Sequence, residues 1–199
     1  MLESPTTKIG MPLEEFIRLY DTEGPFELIN GERVPKMPNV AGHGEIVERL
    51  YLAIYLLISS KQFGKVLREM PFVLSYTPNW VTGSRIPDLM YYTADRINAY
   101  KEAYTDWKDK PYILVPDLVV EVVSPGDNLG DLDDKVNQYL LDGVRLVWVM
   151  NPQKSRVSIH TLNSLNPFTK FETHLTPADT LSGGEIIPGF EMAVAKIFE

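Results

Sequence analysis

Read as hydrophobic and polar positions, the chain opens on a helical period. "MPLEEFIRLY" at 11–20 predicts a short amphipathic helix with Pro12 near its start, where a missing N–H is tolerated. "PFELINGERVPKM" then gives two extended runs around Asn30-Gly31, a pair that favours a two-residue hairpin turn. In "GHGEIVERLYLAIYLLISSKQFG" the residues Ile46, Leu50, Ala53, Ile54 and Leu57 recur at helical spacing and predict a long helix ending near Gly64. Its opposite side is apolar too, with Leu52, Tyr55 and Leu56. That face is expected to be covered, either by the N-terminal helix or by a second copy of the chain in a homodimer.

Farther along, "KVLREMPFVLSY" reads as a strand and "SRIPDLMYY" as another, with "TPNWVTG" as the connecting turn. In "YILVPDLVVEVVS", Pro116 separates a leading segment from a central strand at 117–123. A helix follows, with Leu132, Val136, Tyr139 and Leu140 on its buried face. Asp131, Asp133 and Asp134 crowd its first turn, and Gly143 sits where a C-terminal cap belongs. "VRLVWVM", the turn "NPQKS" and "RVSIHTL" form a hairpin, and the tail 162–199 reads as loops and a short strand ending in "AVAKIF". This order of elements predicts an α/β or α+β layered domain with a mixed sheet.

Length and composition narrow the picture. At 199 residues a single domain over 1–199 is expected, with 1–10 as a flexible N-terminus. The apolar run "LYLAIYLLI" at 50–58 is too short to span a bilayer, and the first residues show no basic stretch followed by an apolar one. The absence of cysteine excludes disulfides and thiolate metal sites and accords with a cytoplasmic location. A net charge of −8 argues against a general nucleic-acid coat, although it leaves room for a local basic strip such as "KQFGKVLR" at 61–68.

The central strand raises a chemical question, because Glu121 lies among valines. A buried carboxylate without a partner is costly. Residues 117, 119, 121 and 123 share one face, and Asp117 is about 13 Å from Glu121 at ~3.3 Å per residue. A second Pro-Asp, at 87–88, opens another apolar strand, so Asp88 can meet Glu121 across the sheet. Two carboxylates held together call for a shared proton or a cation between them, and Mg²⁺, with Mn²⁺ as a substitute, suits such a pair. Lys135 has two readings: a surface pair with Asp131 at i,i+4, or a stem running along the helix to bring its ammonium to the sheet.

"NGERVPKMPNVAGHGEIVERL", "IPDLMYY", "PDLVVEVVSPGD", "DKVNQYLLDGVRLVWVMNP" and "IIPGF" together resemble the bacterial Uma-two family of restriction-endonuclease-like proteins, within the PD-(D/E)xK nuclease superfamily. The resemblance runs from about residue 11 to the end. It implies a restriction-endonuclease-like core, a mixed sheet flanked by helices, here with an extra N-terminal helix and hairpin. It also implies that Asp88 and Glu121 are metal ligands and that the backbone carbonyl of Val122 is a third. In the superfamily pattern the lysine stands two residues after the acidic residue, a place held here by Val123. In the resembling family it lies on the next helix, at the position of Lys135.

The resembling family also has a histidine at the position of His43, which is open to a substrate role or to capping the helix start. Gln138, one turn past Lys135, is a second candidate substrate contact. Glu45 and Glu48 read as solvated residues of the same helix as His43, although related nucleases sometimes place a first-helix glutamate at the metal. The expectation is therefore a Mg²⁺-dependent endonuclease acting on DNA through Asp88, Glu121 and Lys135. A catalytically silent binding or assembly domain on the same fold is the alternative, and a small-molecule hydrolase built on paired carboxylates stands third.

Overall fold

The structure is a computed structural model that describes residues 9–163 and 166–199. In chain order its elements are β1 (Met11–Pro12), α1 (Leu13–Glu23), β2 (Phe26–Ile29), β3 (Glu32–Pro35), α2 (Ala41–Lys61), β4 (Gly64–Arg68) and β5 (Phe72–Thr77). Then come β6 (Trp80–Arg85), β7 (Leu89–Thr93), α3 (Ala94–Ala103), β8 (Leu118–Val122), α4 (Leu129–Leu141) and β9 (Leu146–Asn151). The last are β10 (Arg156–Asn163), β11 (Asn166–Leu175), β12 (Thr180–Ser182), β13 (Glu191–Ala193) and α5 (Val194–Ile197).

These elements form two compact units interleaved along the sequence. The first takes, of the described residues, 9–37 with Pro71–Ile86 and Asp106–Leu114; the second takes Pro38–Met70, Pro87–Thr105 and Val115–Glu199. Four of the five passages between them carry a proline in their first two residues: Pro38, Pro71, Pro87 and Pro116.

In the first unit α1 starts after Pro12 and buries Leu13, Phe16 and Leu19, the spacing of one helical face. They pack with Phe26, Leu28, Val73 and Val81, and the Phe16 and Phe26 rings meet edge to face at 5.2 Å. The sheet runs β1-β6-β2-β3, with β5 also pairing β6. The hairpin at Asn30-Gly31 forms as expected, with φ of 53° and 86° at its two turn residues. Of the N-terminus expected to be flexible, residues 1–8 lie outside the described residues, while the carbonyl of Ile9 accepts a hydrogen bond from Trp80 Nε1 at 3.0 Å.

The second unit is built on a six-stranded mixed sheet in the order β11-β10-β9-β8-β7-β4. The central strands β8 and β9 are parallel, and every other pair is antiparallel. Strand alternation divides β8 cleanly. Leu118, Val120 and Val122 face one way and pack with Ile46, Leu50, Ile54 and Ile58 of α2. Glu121 faces the other way, where α4 buries Val136, Tyr139 and Leu140. The expected mixed sheet flanked by helices is the architecture found. No helix among the described residues is long and apolar enough to cross a membrane.

Some boundaries differ from the sequence expectation. The run 65–76 is two strands: Glu69, in a left-handed conformation, and Pro71 divide β4 from β5. Pro87 likewise divides 84–92 into the end of β6 and the start of β7. β6 begins at Trp80, inside the segment read as a turn. The helix α2 ends at Lys61, where Gln62 rather than a glycine takes the left-handed cap, and Gly64 already belongs to β4. The tail contains β11, a ten-residue edge strand whose many polar residues hid it. Leu52, Tyr55 and Leu56 of α2 are exposed in the single chain.

Candidate active site

Asp88 and Glu121 are delivered by neighbouring antiparallel strands. Leu89 pairs with Val120, so Asp88 stands just before the paired residue on one strand and Glu121 just after it on the other. Both side chains are buried, with exposures of 1% and 5%. The Val122 N–H donates to Asp88 Oδ2 at 2.8 Å, which ties the aspartate to the strand that carries Glu121.

That bond replaces one rung of the ladder. Continuing the β7–β8 register sets Pro87 opposite Val122, and proline has no N–H to give. In an extended strand a residue's N–H and C=O leave on the same edge, so the Val122 carbonyl lies on the Asp88 side, where the ladder supplies it no donor.

Glu121 answers the question of a charge among valines. Its Oε1 accepts from the Tyr139 hydroxyl at 2.5 Å and lies 3.1 Å from Lys135 Nζ. Lys135 and Tyr139 are four residues apart on α4, hence on one face, and the ammonium stands 5.8 Å from the centre of the tyrosine ring. The Lys135 side chain is 24% exposed, which leaves its charge at the edge of the protein interior.

His43 sits in the first turn of α2, buried, with Nε2 3.1 Å from Asp88 Oδ2 and Nδ1 3.2 Å from Ser124 Oγ. The Asp88 approach lacks hydrogen-bond alignment, so it is a close polar contact rather than a hydrogen bond. Ser124 is held in turn by Asp127, whose Oδ2 accepts the Ser124 N–H at 2.7 Å. The structure thus brings Asp88, Glu121, Lys135 and His43 into one connected group. Gln138 is exposed on α4 outside those contacts, Glu45 is exposed, and Glu48 pairs with Arg68.

Ser124 and the Tyr139 hydroxyl were not foreseen as members of this group. Tyr139 reads as core from its spacing, and it is fully buried. The signal was its i+4 relation to Lys135: if one reaches Glu121, the other lies beside it. Ser124 carried no such signal, because its partner is 81 residues away.

Among the described residues no three His, Cys, Asp or Glu side chains form a ready-made metal cage. The donors are two carboxylates and a strand carbonyl, a hard oxygen set. It fits Mg²⁺, which keeps several waters and takes one or two carboxylates, better than zinc, which wants imidazole or thiolate.

A family model, Uma2, described as "Putative restriction endonuclease", matches the chain over residues 13–195. Among solved structures the chain is similar to "a putative nuclease belonging to DUF820" from Anabaena variabilis ATCC 29413, with a TM-score of 0.74 and 16% identity over 94% of this chain and 97% of that one. At such identity the likeness is one of fold, the restriction-endonuclease-like fold. No curated protein matches the chain.

Proposed function

The chain belongs to the Uma2 family of restriction-endonuclease-like proteins, and from that premise we propose that it is a Mg²⁺-dependent endonuclease that hydrolyses phosphodiester bonds in DNA. The observation that carries the reading is the buried pair of strands at the site. Asp88 is bonded to the strand of Glu121, and Glu121 has the Lys135 ammonium at 3.1 Å. Asp88, Glu121 and the Val122 carbonyl would hold the ion.

When bound, the ion polarises the phosphate and lowers the pKa of a water molecule. The protein's own groups do the rest. Lys135 stands at the end of β8 as a positive charge beside Glu121, placed to orient the attacking water or to stabilise the extra negative charge on phosphorus. Tyr139 fixes Glu121 by its hydrogen bond, so the carboxylate need not reorganise as charge develops. His43 braces Asp88 from the α2 side. Water adds to phosphorus as it gives up a proton, the P–O3′ bond breaks, and the departing 3′-oxygen takes up a proton from solvent, leaving a 5′-phosphate and a 3′-hydroxyl.

A homodimer through the exposed α2 face at Leu52, Tyr55 and Leu56 belongs to the same reading, and a monomer mass by light scattering would reject it. The nuclease itself is tested by incubating plasmid and single-stranded DNA with the full chain in Mg²⁺ or Mn²⁺, beside Asp88→Ala. Cleavage by the parent and not by the variant is expected. Equal cleavage by both would sink the assignment.

A further inference from the structure

A pocket of about 400 Å³ opens at the carboxyl ends of the parallel strands β8 and β9. Open α/β sheets bind ligands outside the carboxyl ends of parallel strands. Its walls come from the start of α2, from Val123 and Pro125 after β8, and from Pro152 and Gln153 after β9, with Phe198 after α5 closing one side. His43 belongs to both places: it lines the pocket and its ring touches Asp88. His43 therefore separates an occupant from the aspartate.

The lining is of two kinds. Ile46, Val123, Pro125, Pro152 and Phe198 supply flat or apolar surface, the sort against which a ring stacks. Besides the His43 imidazole, which is turned to Asp88 and Ser124, the polar groups are Gln153, Arg49 and the carboxylates of Glu45 and Glu199. Arg49 is engaged, its Nη1 donating to the Ile197 carbonyl at 2.7 Å. With two carboxylates against one engaged guanidinium, the pocket disfavours phosphate and favours a ligand edge that donates hydrogen bonds. Its volume lies within the ordinary range of ~300–1,000 Å³ for small-ligand sites, room for one nucleoside and not for a stacked duplex.

We propose that this pocket receives one unstacked nucleobase next to the scissile phosphate and selects bases that carry an exocyclic amine, with Glu45 as the acceptor of that amine. The occupant is named on the strength of the nuclease reading, which it deepens by giving a source of sequence preference. Cytosine, adenine and guanine present an amine; thymine and uracil present carbonyl oxygens that a carboxylate repels. Gln153, on the opposite strand end, can give and accept, and it holds the ring edge without choosing its sign.

Free nucleosides test this without any cleavage. Deoxycytidine and thymidine have rings of one size and differ at position 4, an amine against an oxygen, at position 3, an acceptor nitrogen against an N–H, and at position 5, a hydrogen against a methyl group, so the pair tests whether Glu45 takes the amine at position 4 in preference to the N–H at position 3. In titrations of the ¹⁵N-labelled full chain, deoxycytidine should move the amide signals of Ile46, Val123 and Gln153. It should bind ~5-fold more tightly than thymidine, a modest ratio because Glu45 is exposed. Glu45→Gln, which keeps the shape and loses the charge, should bring the two within about twofold of each other. Thymidine binding as tightly as deoxycytidine to the parent protein would overturn the proposal, and so would unmoved amides with both. The nucleosides contain no phosphodiester and need no metal, so the result stands apart from the nuclease assay. Binding as expected in a chain that cuts nothing would leave the pocket in place and remove the nuclease.

Discussion

Two Pro-Asp-Leu sequences, at 87–89 and 116–118, open the adjacent antiparallel strands β7 and β8, and they end in opposite kinds of environment. Each aspartate is buried and accepts an N–H from the far end of the other's strand: Asp88 from Val122 at 2.8 Å, Asp117 from Thr93 at 2.9 Å. Beyond that the likeness stops. Asp117 also takes the Thr93 hydroxyl at 3.1 Å and two guanidinium groups, Arg96 at 2.9 Å and Arg145 at 3.2 Å. These are permanent charges, and they hold the carboxylate from two sides. Its field is felt nearby: burial, and then the Asp117 charge, push the Tyr91 phenol up to about 12.

Asp88 meets an imidazole instead, and beside it stands a second carboxylate whose positive neighbour is a lysine at the protein's edge. Histidine and lysine can change charge or swing aside in ways that guanidinium does not. One Pro-Asp-Leu closes the sheet, and the other leaves it chemically adjustable. The same three residues give structure or chemistry according to what faces them.

Substitutions can break that contrast, and the largest effect should come from Asp88. Asp88→Ala should lower cleavage ~1,000-fold or more with a folded chain by circular dichroism, since it removes the carboxylate proposed to hold the ion and the tie to Val122. Retained cleavage would place the chemistry elsewhere. Lys135→Met comes next, with turnover down ~100-fold, the scale of one lost transition-state donor, and Mn²⁺ affinity by calorimetry unchanged or higher because a nearby positive charge is gone. Full activity in that variant would remove lysine from the mechanism.

Asp117→Asn should behave in the opposite way. It leaves two guanidinium groups without their anion and should cost about 2 kcal/mol in urea denaturation, with Mn²⁺ affinity unaltered. A variant of normal stability that no longer bound metal would show that the two aspartates had been assigned to the wrong roles. The smallest change is expected from Tyr139→Phe. Losing one hydroxyl on a charged acceptor should cost about 1 kcal/mol of stability and lower kcat more than it raises KM, because Glu121 would be less firmly oriented. A stability loss with unchanged kinetics would confine Tyr139 to packing.

Much of the architecture was legible in the pattern of apolar positions because α1, α2 and α4 each bury a face at helical spacing and β8 is a short apolar run buried on both sides. The Asn30-Gly31 turn was legible because its left-handed backbone needs those residues. The strands β5 and β6 were blurred where proline interrupts a ladder without ending the apolar run, and β11 was lost because an edge strand keeps half its residues polar. At the site, Asp88 and Glu121 could be paired by reasoning from strand spacing. Lys135 could not be chosen over its bond to Asp131 by spacing alone, since a helix offers both. The guanidinium partners of Asp117 were out of reach, because Arg96 and Arg145 come from opposite sides of it in sequence and only the fold joins them.

The five passages between the interleaved units bear on how the chain is made. The first unit lacks its last piece until Leu114 has been synthesised, and by then the second has only β4 and β7 of its six-stranded sheet. Neither can be finished on the ribosome before part of the other exists, so the first closes only after Leu114 and the second only with the C-terminal segment, both through contacts distant in sequence, a slow kind of folding. The prolines at four of these passages supply no N–H there, so a waiting strand cannot lengthen through the junction into the wrong ladder. For the same reason no pair of cuts releases either unit as a continuous fragment. A chain reduced to the second unit would have to be rejoined at two places, Met70 to Pro87 and Thr105 to Val115, rather than only trimmed from its ends.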